Sequence, residues 1–162
     1  ELDYRFPTHI DLANAVASGK ASLGVISEPL VSQVMRRNQE VRMLFDLNRE
    51  WISLQGFPIP QTALMAKKSV IQDDPALIEK ILDAYQRSVQ WVNDNPDSAA
   101  VLIVKHRILD DIQTARQAIP GSGLRLVRSA AISRQIQDYL HVFFVMNPQI
   151  TGGKMPDEEF YY

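Results

Sequence analysis

Apolar and polar residues follow two different rhythms along this 162-residue chain. Leu2 to Phe6 alternates apolar and polar side chains, the period of a short strand. Thr8-His9-Ile10-Asp11 resembles a capping box, with a hydroxyl at the N-cap and an acid three residues on. Leu12, Ala15 and Val16 then give a helix its apolar face, and Gly19 sits where a left-handed C′ residue belongs. Leu23 to Ile26 is a compact apolar run of the buried-strand kind. Pro29 to Arg37 predicts a helix with Leu30, Val31, Val34 and Met35 on one face, and Val41 to Leu47 predicts another strand. Strand, helix, strand, helix, strand is the order of a parallel α/β layer with helices on its faces.

After Asn48 the rhythm changes. Prolines at 58 and 60 favour an extended connection, and Gln61 to Ala66 fits a strand. Beyond it the spacing is helical almost throughout. Asp74-Pro75 is an N-cap followed by proline at the first helical position, and Leu77, Ile78, Ile81, Leu82, Tyr85, Val89 and Val92 recur at helical spacing. Asn95-Pro96 repeats the start signal ahead of Ala99, Ala100, Leu102 and Ile103. A weaker helix is predicted over 110–118, stopping at Pro120-Gly121. A last long one covers 129–145, with Ile132, Ile136, Tyr139, Leu140 and Phe143 inward. "GGKMPDEEFYY" reads as an irregular tail. The division expected is α/β over 1–55, a hinge or crossing strand over 56–67, and a helical segment over 68–162.

Composition narrows the function classes. The chain is 46% hydrophobic and 22% charged with net charge -2, so no basic excess points to nucleic acid. No apolar run approaches the ~18 residues of a membrane span. Without cysteine there are no disulfides, thiolate metal sites or cysteine nucleophiles. The first residues, "ELDYRF", lack an initiator Met and read as the inside of a strand, which suggests a mature product, a trimmed chain or a fragment.

Familiar catalytic signatures are missing: no P-loop, G-x-G-x-x-G, G-x-S-x-G or H-E-x-x-H. His9, His106 and His141 lie far apart without metal-ligand spacing, so no metal and no cofactor is expected. The pairs Asp73-Asp74 and Asp110-Asp111 fit helix starts better than acid/base pairs, because adjacent helical residues do not face each other. Trp51 and Trp91 read as packing residues. Two strand-to-helix junctions remain, at Pro7-Thr8-His9 and Ser27-Glu28-Pro29. Ligands of open parallel sheets bind beyond the carboxyl ends of strands, where helix N-termini present free N–H groups. A carboxylate and a proline at such a turn are also good capping chemistry. Both readings of Glu28, cap or ligand contact, stay open.

The ordered series "LANAVASGKASLGVISEPLVSQVM" resembles the second lobe of substrate-binding proteins of ABC importers, of the nitrate/sulfonate/taurine and thiamine-pyrimidine group. The continuation from "FPIPQTALMAKK" through "NDNPDSAA" is similar as well, so the resemblance covers most of residues 10 to 105. It implies a periplasmic-binding-protein-like fold: a short, mostly parallel sheet plus C-terminal helices, within a two-lobe architecture. It implies a non-enzymatic receptor that clamps a small solute and delivers it to an inner-membrane permease. The location implied is periplasmic or extracellular, with a lipoprotein anchor upstream. Thr8, Ser27 and Glu28 would face the cleft, and Gln61 and Thr62 the crossing strand. The first lobe's sheet is missing from the resemblance, so association of copies or atypical packing is expected. Two alternatives share the scaffold: the effector domain of a transcription regulator, and an enzyme such as a pyrimidine-synthesising relative.

Overall fold

The computed structural model describes residues 5–162. Eight α-helices are assigned among them: α1 His9–Ala17, α2 Leu30–Arg37, α3 Leu47–Gln55, α4 Lys68–Asp73, α5 Pro75–Asp94, α6 Pro96–Lys105, α7 Ile112–Gly121 and α8 Ser133–Met146. Short 3-10 turns occupy Ser129–Ile132, Pro148–Thr151 and Glu158–Phe160.

The expected α/β sheet is not there. No strand is assigned among the described residues, which corrects the fold class to helical with extended connections. Leu2 to Tyr4 of the first predicted strand lie outside the described residues. Leu23–Ile26 and Gln61–Ala66 make no backbone hydrogen bond to another described residue. Part of the third predicted strand is absorbed by α3, because Asp46 accepts hydrogen bonds from the Asn48 and Arg49 amides and starts a helix there. An apolar run supplies a strand's side chains but not its ladder, and a strand exists only where neighbours take up its N–H and C=O groups.

The helix starts follow local chemistry. Asp74 accepts from the Leu77 amide at 2.9 Å ahead of α5, and Asp111 caps α7. After α1, Gly19 takes φ 75°, the left-handed region that closes a helix. Helix α7 runs on through Pro120 to Gly121, further than the proline suggested. Proline there removes one amide near the helix end, where the Ser122 amide still reaches the Ala118 carbonyl.

The chain divides into two compact units: Glu1–Met43 with Lys80–Arg125, and Leu44–Glu79 with Leu126–Tyr162. In the first, Ala13, Val16 and Val34 form a core joined by Leu12, Ile26, Leu30 and Val41. Helices α6 and α7 pack through small residues: Ala99, Ala100, Ala115 and Ala118 are all buried. Small side chains let the two backbones approach closely, so the contact depends on volume. In the second unit, Trp51 meets Phe57 and Tyr139 edge-on, and Tyr139 meets Phe143 at 5.1 Å. The last residue is tied down as well. The Tyr162 amide donates to Ser129 Oγ at 2.7 Å, and its hydroxyl donates to Glu79, which also pairs with Arg128.

Ala115→Leu should lower stability by about 1–3 kcal/mol, because an enlarged side chain must separate α6 from α7. Urea denaturation measures this, and an unchanged midpoint would show that the helices do not meet through that residue.

Candidate functional site

Helices α2 and α7 are joined at both ends, and the first joint is the Ser27-Glu28-Pro29 turn. Glu28 is half-buried, and its carboxylate accepts from the Ser32 amide at 3.2 Å and from the Ser32 hydroxyl at 3.1 Å. Negative charge and accepted hydrogen bonds are what the first turn of a helix lacks. The same carboxylate lies against the last residue of α7. A Cβ on Gly121 would stand 2.9 Å from Glu28 Oε1 and 3.1 Å from its Cγ, so a larger residue there would displace the Glu28 side chain.

At the other end, Arg36 pairs with Asp111 at 3.1 Å. Asp111 is the N-cap of α7, accepting from the Thr114 amide and hydroxyl, each at 2.7 Å. The start of α2 thus meets the end of α7, and its end meets the start of α7, so the two helices are antiparallel. Arg37 ties α2 to α1 through Asn14 Oδ1 at 2.7 Å. The Thr114 hydroxyl and amide, with the Arg36 charge, hold the Asp111 carboxyl below the ordinary carboxylate value, against a smaller desolvation effect.

The residues singled out in the sequence fall into different roles. Glu28 is committed to Ser32 and Gly121, which is the capping reading. Ser27 is exposed, and its carbonyl accepts from the Leu30 and Val31 amides. The Thr8 hydroxyl is occupied at α1, accepting from the Asp11 amide and donating to its carboxylate at 2.6 Å. Gln61 and Thr62 are exposed on the 61–66 segment of the second unit. The structure brings Ser27 and Glu28 together at one turn. Arg36 and Ser32 were missed as members of this cluster. Asp111 was legible only as a helix start, three residues before a threonine.

Side-chain chemistry elsewhere is sparse. Among the described residues no group of three or more His, Asp or Glu side chains could hold a metal ion. His9 is exposed, His106 takes the C-cap of α6, and His141 stacks on Phe144. A concavity of about 350 Å³ lies along α1, with Arg5, Lys20 and Asp11 in its wall. A second of similar size flanks Trp91 with Arg87 and Asp94 on α5. Both are open to solvent and combine charge with an apolar wall.

Removing the Glu28 carboxylate by Glu28→Ala should cost about 1 kcal/mol, the ordinary value of a cap. Gly121→Ala should be harmful only while Glu28 is present, so its cost should shrink in the Glu28→Ala background. A double-mutant cycle on urea midpoints reads the coupling, and strict additivity would show that the two groups do not touch in solution.

Asp111 gives a pH prediction. Its folded carboxyl titrates below the ordinary value of 3.8, so its contribution is present above 3.8 and lost as pH falls through the lower folded value. Asp111→Asn should therefore flatten the acid limb of the stability profile, and parallel limbs would remove Asp111 as a source.

Comparison with known proteins gives three findings. Residues 3–143 match the family model for menaquinone biosynthesis. The chain is 28% identical over 113 residues to a 1,4-dihydroxy-6-naphtoate synthase of Streptomyces coelicolor, covering 70% of this chain and 38% of that protein. It superposes on the crystal structure of an ABC transporter from Parabacteroides distasonis with a TM-score of 0.85 at 22% identity, covering 98% of this chain and 55% of that one. The chain thus spans little more than a third of the curated relative and about half of the structural one. The last likeness concerns fold alone, and together the three support a periplasmic-binding-protein-like fold. The expectation of a protein that is not an enzyme is overturned, because the family and the synthase both point to an enzyme of menaquinone biosynthesis. The missing motifs misled here: they mark nucleophiles, phosphate loops and metals, and an enzyme that uses none of these leaves no such mark.

Proposed function

This chain belongs to the menaquinone biosynthesis family, and we propose from that premise that it is part of an enzyme in the making of menaquinone. The match over residues 3–143 carries the reading. The synthase of Streptomyces coelicolor suggests the kind of product, a dihydroxylated naphthoate. Such a molecule joins a flat apolar ring system to a carboxylate and hydroxyls, and its recognition calls for apolar walls with a few hydrogen-bonding groups. Ser27, exposed at the start of α2, is the contact we favour in the first unit, and Gln61 and Thr62 are exposed polar candidates of the second unit taken by itself. Glu28 and Thr8 act one step back by holding their helix starts in place.

A second reading draws on the Parabacteroides distasonis structure. In it the chain is part of a solute-binding component outside the cytoplasm, anchored at the membrane, that hands a small molecule to a permease. The two readings differ in what a cell loses. Deleting the gene in its own host should deplete menaquinone, measured by mass spectrometry, and supplying a dihydroxynaphthoate should restore it. Unchanged menaquinone together with impaired uptake of a solute would sink the enzyme reading in favour of the second.

A further inference from the structure

The segment Asp157–Tyr162 folds back on three distant parts of the second unit. Glu159 pairs with Lys68 of α4 at 2.6 Å. The Tyr162 hydroxyl donates to Glu79 of α5 at 3.0 Å, and the same carboxylate pairs with Arg128. The Ser129 hydroxyl grips the backbone of Tyr162 on both sides. It accepts from the Tyr162 amide at 2.7 Å and donates to the Tyr162 carbonyl at 2.9 Å. That carbonyl also accepts from the Ala130 amide at 3.2 Å.

These ties are polar and close to solvent. Phe160 is 57% exposed, and both members of the Lys68–Glu159 pair are exposed. One group of the segment loses by docking. The Tyr161 hydroxyl oxygen is buried without a hydrogen-bond partner among the described residues. Such a group favours any state that returns it to water. Segments with little buried apolar surface and exposed polar ties open below the free energy of global unfolding.

We propose that Asp157–Tyr162 is a strap that opens and closes as one unit while α8 stays folded, with the Ser129 hydroxyl as its catch. The ties depend on one another. Ser129 fixes the backbone of the residue whose hydroxyl reaches Glu79. The Asp157 and Glu158 carbonyls accept from the Phe160 and Tyr161 amides, and this 3-10 turn carries Glu159 to Lys68. Opening returns the Tyr161 hydroxyl to water and leaves Glu79 paired with Arg128. The proposal rests on the second unit's geometry and is independent of the enzymatic reading.

Native-state hydrogen exchange by NMR on the whole chain tests it. The reporters are the amides of Ala130, Phe160, Tyr161 and Tyr162, read against amides in the middle of α8. The four should share one protection factor, about tenfold or more below that of α8. Ala130 is decisive, because it lies far from the strap in sequence. Ser129→Ala should lower all four protection factors about tenfold and leave α8 unchanged. Glu159→Gln alters only an exposed pair and should lower them about twofold. Salt at about 1 M should do the same to the unaltered chain and add nothing to that variant. Protection graded along 158–162 with Ala130 apart would mean fraying, and equal protection in strap and α8 would mean no separate opening. Either result overturns the proposal. So does a Ser129→Ala chain in which the strap amides are unchanged, or in which α8 loses protection as fully as the strap.

Discussion

The antiparallel contact of α2 with α7 is the constraint on which the first unit depends. It is made by two charged side chains at opposite ends of one short helix. Glu28 completes the start of α2 and presses on Gly121, while Arg36 at the other end reaches the cap of α7. Each group also serves its own helix, since acid at a start and base at an end complement the macrodipole. An eight-residue helix is marginal alone. This one is held because its two termini are tied to the two termini of a partner. Through Arg37 and Asn14 the same helix also holds α1, and through α7 it is linked to the alanine contact with α6.

This arrangement supplies the capping use of Glu28. A carboxylate at a strand-to-helix junction has two physically sound uses, capping and ligand contact. A carboxylate with both oxygens engaged by Ser32 and a helix end beneath it has little freedom to reorganise around a ligand. Ser27, whose side chain is exposed, is the group at this turn that remains available. The family assignment raises the stakes, since an enzyme needs polar groups that face substrate as well as groups that hold the scaffold.

The helical half of the chain was legible because its start signals are local. Asp74, Asp111 and Thr8 each accept from an amide three residues on, and Asn95-Pro96 starts its helix through the proline, with no side-chain cap. Helix α3 was hidden because its cap, Asp46, falls at the end of an apolar run that reads as a strand. Arg36 and Gly121 were hidden for a different reason. Their roles depend on residues 75 and 93 positions away, and nothing in the local pattern signals contacts at that separation.

The sequence by itself determined where most of the helices begin, which faces are apolar, and that cysteine chemistry is absent. These follow from side-chain type and short-range spacing, which act before the chain is packed. Tertiary structure alone decided that the apolar runs at 23–26 and 61–66 carry no ladder among the described residues, that Glu28 accepts from Ser32 at a helix start, and that Gly121 lies against the Glu28 side chain. A strand, a half-buried carboxylate and a close approach are all defined by what comes to lie beside them. That is settled only when distant parts of the chain meet.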